Sequence, residues 1–190
     1  MAEYDKVGER IRKVRESRKI TTADLAERAG LNPDLVAGLE NNEMPPSLAP
    51  LIKIARVLGV RLGTFLDDVD SLGPVISRAG SPVKAVRFAG SAGAVSGELD
   101  FYSLAHNKAG RHMEPFVIDI HGSSSKEIKP SSHEGEEFIY VLQGRVEIFY
   151  GKETYLLEAG DSIYLDSIVD HHVHSKNGEA KILAVVYTPY

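Results

Sequence analysis

The sequence predicts two domains of different fold class, an all-α head followed by an all-β barrel. Apolar residues recur at helical spacing as far as about residue 68, and from residue 83 they form short runs separated by turn residues. The segment between these regions begins with acidic residues and contains Gly73-Pro74, a dipeptide typical of turns. We therefore predict the head over residues 1–68, a linker over residues 69–82 and the barrel over residues 83–190.

Composition restricts the classes of protein to be considered. Hydrophobic residues make up 43% of the chain and charged residues 26%, which is ordinary for a globular protein. The absence of cysteine excludes disulfides and thiolate metal ligands. The N-terminal residues lack an apolar signal segment, and no apolar run approaches the roughly 18 residues that a bilayer span requires. We therefore predict a cytoplasmic protein with no membrane partner.

The head is predicted to contain five helices, each with apolar residues recurring on one face. The first should end near Lys19, the fourth should run from Leu48 to Leu58, and a short fifth should cover Leu62–Leu66. The second and third helices, in the middle of the head, are identified by their capping residues.

Thr21 is the expected N-cap of the second helix and Gly30 its C-cap. Asn32 then supplies an N-cap and Pro33 the first helical residue of a third helix that should end at Glu40. Two short helices joined by a tight turn that contains glycine form a helix-turn-helix motif.

Basic residues are concentrated on the first helix, although the head as a whole is not basic. Residues 1–70 hold 11 Lys and Arg against 12 Asp and Glu, whereas a DNA-binding domain usually shows a basic surface. Two interpretations of this helix stay open, a solvent-exposed helix face and a part of a DNA-binding surface. The residues concerned are Arg10, Arg12, Lys13, Arg15, Arg18 and Lys19.

The head resembles the Xre or lambda-repressor type of DNA-binding domain. The resemblance is carried by LAERAGL at 25–31, LENNEMPPSLAPLIKIARVLGV at 39–60 and LGTFL at 62–66. In that family the start of the second motif helix meets base edges in the major groove. None of the corresponding residues is Arg, Lys or Gln, the side chains best suited to bidentate base recognition, and a helical head kept for another purpose is an alternative. The residues that the resemblance implies as DNA contacts are Thr22 and, as exposed positions, Asn32, Asp34, Ala37 and Gly38.

The all-β domain is predicted from nine short apolar runs. Runs of this length separated by turns are typical of a sandwich or barrel, and roughly 110 residues are enough for a jelly-roll core. The predicted strands cover residues 83–88, 98–104, 116–120, 138–142, 146–150, 154–157, 162–165, 171–174 and 182–187.

Two segments of this domain resemble the two motifs of the cupin superfamily. They are SSHEGEEFIYVLQG at 131–144 and AGDSIYLDSIVDHHVHS at 159–175. The resemblance implies a cupin jelly-roll barrel in which His133, Glu137 and His171 match three of the four metal-binding positions. Two imidazoles and one carboxylate suit Fe(II), and also Mn, Ni or Zn.

The fourth metal-binding position departs from the cupin pattern, because Ser131 stands where the family has another histidine. Two interpretations stay open, a three-ligand metal site with open coordination positions and a metal-free polar pocket. On the strand that Glu137 opens, Ile139 and Val141 share its face. We therefore predict an effector pocket lined by Ser131, Ile139 and Val141.

Residues that alternate with these side chains are predicted to point out of the barrel. Phe138, Tyr140 and Leu142 should face a second sheet or a partner subunit. His172 and His174 should be surface residues.

The two domains together resemble the Xre–cupin transcriptional regulators. The resemblance implies a one-component regulator whose barrel binds a small-molecule effector, with or without a divalent metal, and thereby alters DNA binding by the head. Two heads must lie one helical turn apart, about 34 Å, to contact adjacent half-sites, so a homodimer is implied.

The same architecture also resembles the family of the iron-dependent epoxidase of 2-hydroxypropylphosphonate, which has likewise lost the first cupin histidine. This resemblance implies an alternative function, a non-haem iron oxygenase that uses the same three ligands. Lys19 aligns with a lysine of that family that reaches a neighbouring subunit's active site. Leu104 and Pro130 stand where the family has a tyrosine and an asparagine, so two polar groups for the substrate are missing.

Overall fold

The computed structural model describes residues 5–66, 73–79, 86–87, 99–108, 110–122 and 130–189. Within them a helical head precedes a domain of antiparallel sheets, so the predicted fold class is confirmed. The predicted domain limits near residues 68 and 83 lie outside the described residues and stay predictions.

The described part of the head contains five α-helices, and the predicted caps of the second and third are confirmed. Thr21 accepts a hydrogen bond from the Asp24 N–H, while the Asp24 carboxylate accepts one from the Thr21 N–H. Gly30 ends the second helix with φ 63, and the Asn32 side chain caps the third. The helices are α1 (Asp5–Ser17), α2 (Thr22–Ala29), α3 (Pro33–Glu40), α4 (Leu48–Val57) and α5 (Gly63–Leu66).

The helices of the head enclose one apolar core. Ile11 of α1, Leu25 of α2, Val36 of α3, Leu51 of α4 and Phe65 of α5 are all fully buried. Helix α2 packs against both α3 and α4, and α1 packs against α3 and α5. Among the described helices, none is long and apolar enough to cross a lipid bilayer.

Three arginines of α1 bind inside the head, which neither interpretation of the basic helix anticipated. Arg15 forms a two-point ion pair with the buried Glu40, with Nε–Oε1 and Nη2–Oε2 distances of 2.6 and 2.9 Å. Arg10 donates to the carbonyl of Phe65, and Arg12 donates to the carbonyl of Glu40. These arginines therefore hold α1 against α3 and α5.

The barrel consists of two antiparallel sheets. One has the strand order β1-β2-β3-β9-β4-β7 and the other the order β6-β5-β8. Because β9 lies between β3 and β4, the chain crosses between distant strands as in a jelly roll. All nine predicted runs overlap a strand. The strands are β1 (Val86–Arg87), β2 (Leu99–Ser103), β3 (Met113–Ile120), β4 (Glu136–Gln143), β5 (Arg145–Tyr150), β6 (Glu153–Glu158), β7 (Ser162–Asp166), β8 (His171–Ser175) and β9 (Ala180–Tyr187).

Alternation along the strands fills the space between the sheets with apolar side chains and also places two carboxylates there. Every second residue of β3 from Glu114 to Ile120 is buried. Glu114 pairs across the sheet with Val186 of β9, and Val186 pairs with Glu137 of β4. Glu114 and Glu137 therefore lie in one row of the inner face, two strands apart.

The head contacts the barrel at the end where this row lies. Arg56, in the last turn of α4, forms an ion pair with Glu134 in the loop before β4. Gly63 of α5 lies against a buried pair between Arg111 and Glu114, whose Nε and Oε2 atoms are 2.7 Å apart. A Cβ atom at Gly63 would lie 3.0 Å from Nη2 of Arg111.

Removal of the Glu40 carboxylate should strongly destabilise the head. The Arg15 side chain is only 11% exposed, and breaking a buried ion pair from one side costs about 3–5 kcal/mol. We expect Glu40→Ala to lower the free energy of unfolding of the head by about 3 kcal/mol in urea titrations followed by circular dichroism.

The matched control is Glu16→Ala, because Glu16 also pairs with Arg15 but is 62% exposed. Loss of an exposed pair should cost no more than about 1 kcal/mol. Equal losses of stability from the two substitutions would contradict a structural role for the buried pair.

Candidate functional site

The three residues predicted as metal ligands converge at one end of the barrel interior. His133 lies in the loop before β4, Glu137 lies near the start of β4, and His171 opens β8. The Nε2 atoms of His133 and His171 lie 2.8 and 3.5 Å from Oε1 of Glu137. All three residues are buried. In the described part of the chain this is the one group of three or more His, Asp and Glu close enough to hold a metal ion.

Ser167, in the turn between β7 and β8, positions two of the three residues. It is fully buried, its carbonyl accepts the N–H of His133 at 2.9 Å, and its hydroxyl donates to Oε1 of Glu137 at 3.4 Å. Sequence reasoning missed Ser167, because no spacing or motif distinguishes it from neighbouring turn residues.

Gly135 allows the loop between His133 and β4 to lie directly against the end of β9. It has φ +110, and a Cβ atom there would lie 1.9 Å from the carbonyl oxygen of Tyr187. No other residue fits this position without moving the backbone, so the loop that carries His133 is held closely in place.

Both imidazole rings present Nε2 to Glu137 because backbone carbonyls bind Nδ1. Nδ1 of His133 lies 3.1 Å from the carbonyl oxygen of Glu134, and Nδ1 of His171 lies 2.8 Å from that of Val169. A neutral ring that donates from Nδ1 has only a lone pair at Nε2, which faces another acceptor here. The arrangement is favourable when the rings are protonated or when a cation lies between these atoms.

The same contacts shift the pKa values of Glu137 and His171. Burial alone would raise the pKa of Glu137, but hydrogen bonds and charge from His133 and His171 lower it to about 2. Burial alone would lower the pKa of His171, but the hydrogen bond and charge of Glu137 raise it above its ordinary value. Glu137 is therefore ionised, and a divalent cation bound between Oε1 and the ring nitrogens would replace these hydrogen bonds.

The dimensions of the cluster also suit a metal ion. Ligand atoms about 2.1 Å from one ion lie about 3–3.5 Å apart, and the two distances to Glu137 are close to that range. Carbonyl partners on the second ring nitrogen are also typical of metal-binding histidines. The role of the three residues as ligands stays a prediction.

Ser131 occupies the place next to His171 where a fourth ligand would stand. The two residues form an isolated antiparallel bridge, with N–H to carbonyl distances of 3.0 Å in both directions. Residues directly opposite in such a pair project their side chains to the same face. Ser131 is half-buried, so a small molecule at the cluster could approach from this side.

The other predicted pocket residues share the inner face of β4 with Glu137, but they have no accessible surface. Ile139 is 1% exposed and Val141 is 0% exposed. The interior beneath the cluster is therefore packed with side chains. Their role as an effector pocket stays a prediction that requires the packing to open.

Of the residues expected to point out of the barrel, Tyr140 and Leu142 are exposed, whereas Phe138 and His172 are half-buried. Tyr140 and Leu142 are 37% and 44% exposed. His174 also lies on an outer face, but it is only 23% exposed because it stacks on Phe149 with ring centroids 5.4 Å apart and contacts Glu147 at 3.2 Å. The prediction of its surface position was therefore right in direction, although the ring is half-buried.

Four of the predicted DNA-contacting residues lie at or near the surface of the helix-turn-helix. Asn32 and Asp34 are exposed at the start of α3, and Thr22 and Ala37 are half-buried. The expectation that Gly38 is exposed was wrong. Gly38 is buried beneath Met44, whose Cε atom would lie 2.7 Å from a Cβ atom at this position. DNA contact by these residues stays a prediction.

Both domains match models of known protein families. A model described as Helix-turn-helix matches residues 11–65, and a model described as Cupin domain matches residues 118–187. These matches agree with the helical head and with the strands that surround the cluster.

Several curated proteins are similar to almost the whole chain, among them an epoxidase and a transcriptional regulator. The (S)-2-hydroxypropylphosphonic acid epoxidase of Streptomyces wedmorensis is 31% identical over 189 residues, which cover 90% of this chain and 90% of the epoxidase. The HTH-type transcriptional regulator PuuR of Escherichia coli K12 is 20% identical over 96% of this chain and 94% of PuuR.

A solved structure shows the same fold. The HTH_3 family transcriptional regulator from Vibrio cholerae has a TM-score of 0.70 and 20% sequence identity, and the comparison covers 98% of this chain and 97% of that chain. Head and barrel therefore occur together in a known arrangement.

Restoring the missing fourth ligand should strengthen metal binding. Because the side chain at position 131 lies on the same face as His171, Ser131→His should place a third imidazole at the cluster. Changes around metal ligands alter affinity by about 10–100-fold, so we expect Mn(II) affinity, measured by competition with a chelator, to rise at least tenfold.

Ser132→His is the control, because Ser132 has no bridge to His171. It should leave Mn(II) affinity within about twofold of the wild type. An equal gain from both substitutions, or none from Ser131→His, would contradict the metal interpretation.

Proposed function

We propose that this chain, which belongs to the family of proteins that join a helix-turn-helix head to a cupin barrel, is a one-component transcriptional regulator. Its head would bind DNA, and its barrel would bind a small-molecule effector. The observation that carries the proposal is the complete helix-turn-helix, in which both motif helices are capped and α3 begins at exposed residues.

Similarity to PuuR along 96% of this chain supports the regulatory function of the whole architecture. Because Arg15 of α1 is buried in its pair with Glu40, we expect phosphate contacts to come from exposed cations. Lys13, Arg18, Lys19 and Arg28 are exposed and available for that role. A DNA partner would also place the protein in the cytoplasm.

We infer that the effector binds at or beside the cluster of His133, Glu137 and His171. A divalent ion of Fe, Mn, Ni or Zn held by these residues would supply open coordination positions for a polar group of the effector. Ser131 supports this inference, because its small side chain leaves the position of a fourth ligand open.

We infer further that two copies associate through the outer face of the six-stranded sheet. Tyr164 of β7 pairs across the sheet with Phe138, and Met113 of β3 pairs with Tyr187. A contiguous exposed apolar surface marks an interaction site, and a two-fold dimer would bring two heads to adjacent half-sites. The exposed members of this face are Met113, Tyr140, Leu142, Tyr164 and Tyr187.

The function is tested by gel shifts at stated salt with DNA from upstream of the protein's own gene. The wild type should bind specifically, and Mn(II) should change its affinity by about fivefold or more. Glu137→Gln should keep DNA binding within about twofold but lose the response to Mn(II). Asn32→Ala combined with Asp34→Ala should weaken specific binding by about tenfold without affecting the Mn(II) affinity of the barrel.

Absence of DNA binding by the wild type would contradict the regulatory proposal. The second candidate function, an iron-dependent oxygenase, is favoured by the 31% identity to the epoxidase. Its signature would be Fe(II)-dependent oxygen consumption with 2-hydroxypropylphosphonate that Glu137→Gln abolishes. The regulatory proposal predicts no such consumption, and Leu104 and Pro130 offer no polar side chain to orient a phosphonate.

The dimer is tested by light scattering during size-exclusion chromatography. Tyr164→Asp places a charge on the edge strand β7 within the proposed interface and should convert the dimer into a monomer. Tyr155→Asp is the control, since Tyr155 is 42% exposed on the edge strand of the other sheet. A Tyr164→Asp protein with the mass of the wild type would exclude this interface.

A further inference from the structure

The contact between head and barrel begins one residue after a predicted metal ligand. Glu134 directly follows His133 in the chain, and its carboxylate pairs with Arg56 of α4. The two side chains are 41% and 43% exposed, so the ion pair forms at the surface and can break without burying an unpaired charge.

The His133 ring is connected to Glu134 by more than the chain. Nδ1 of the ring lies 3.1 Å from the Glu134 carbonyl oxygen, while Nε2 lies 2.8 Å from Oε1 of Glu137. The backbone is anchored on both sides of Glu134, because Ser167 holds the His133 N–H and Gly135 lies against Tyr187. Between these anchors, a ring that turns away from Glu137 also changes the position of its Nδ1 partner, the Glu134 carbonyl.

A second contact connects the same end of the barrel to the head. Glu114 lies in the inner row of Glu137 with Val186 between them, a separation of two strand spacings or about 9.6 Å. The Glu114 carboxylate and its partner Arg111 lie directly under Gly63 of α5. The head therefore contacts both the loop before β4 and the row that contains Glu137.

We propose that the ion pair between Arg56 and Glu134 transmits occupancy of the cluster to the helix-turn-helix. This inference rests on the proposed function and names its regulation. A metal or effector that draws Nε2 of His133 away from Glu137 moves Glu134 and thereby Arg56. Helix α4 packs against α2, so displacement of α4 changes the position of the motif helices relative to DNA.

The expected size of the effect follows from the exposure of the pair. An exposed ion pair shifts an equilibrium by up to about fivefold. Allosteric coupling of this size is enough to change operator occupancy when protein concentration is near Kd.

The test compares wild type, Arg56→Gln and Arg145→Gln in the full chain by hydrogen–deuterium exchange with and without Mn(II). In the wild type, Mn(II) should change exchange both in the loop at 131–137 and in the head at 53–66. In Arg56→Gln the loop should still respond while the response of the head is lost. Arg145→Gln breaks an exposed pair with Glu158 at the end of β5 away from His171, and should behave as the wild type.

A double variant that swaps the two charges gives a stricter test. Arg56→Glu combined with Glu134→Arg should restore the response of the head, which a purely structural role of either side chain would not explain. His133→Ala gives a test without metal, because it removes the ring that contacts the Glu134 carbonyl. His133→Ala should change hydrogen–deuterium exchange at 53–57 when Arg56 is present, but not when it is combined with Arg56→Gln.

Gel shifts separate failure of this inference from failure of the proposed function. Mn(II) should change the DNA affinity of the wild type about fivefold or more, and Arg56→Gln should lower that factor by up to about fivefold. Transmission through this pair is overturned if the DNA affinity of Arg56→Gln still responds to Mn(II) as strongly as that of the wild type. It is also overturned if the affinity of Arg56→Gln for Mn(II) itself falls more than about tenfold. If the wild type binds no DNA, the proposed function fails, and the exchange measurements still decide whether head and cluster are coupled.

Discussion

The buried carboxylate of Glu137 is the constraint on which the site end of the barrel depends. A charge with 7% exposure is tolerated only when partners compensate for the lost hydration. Those partners come from different parts of the structure, His133 from the loop before β4 and His171 from β8 of the opposite sheet. The cluster therefore connects the two sheets, and any ligand that replaces its hydrogen bonds also changes how this end is held together.

Features that depend on neighbouring residues were predicted correctly from the sequence. The caps at Thr21, Gly30 and Asn32 involve groups within about four residues, so composition and spacing were sufficient. The alternation of the strands identified the inner face of β4 in the same way. The pairing of Glu137 with His133 also spans four residues, whereas its pairing with His171 was expected only through the cupin resemblance.

Features that depend on distant residues were missed. Arg15 and Glu40 are 25 residues apart, and Arg56 and Glu134 are 78 apart, so no local pattern predicts that they meet. Gly38 was expected at the surface because a helical wheel does not show the chain that follows α3 and covers it. Such contacts arise from packing of the whole chain, which helical or strand periodicity does not encode.

Residues outside the cluster bear on the choice between the proposed regulator and the alternative oxygenase. Two imidazoles and a carboxylate serve either function, but an oxygenase also needs polar groups that orient its substrate. Leu104 is half-buried and apolar, and Pro130 offers no donor. The polar contacts of this cluster run instead through Glu134 towards α4 of the head. These contacts support the proposed coupling between the cluster and the head.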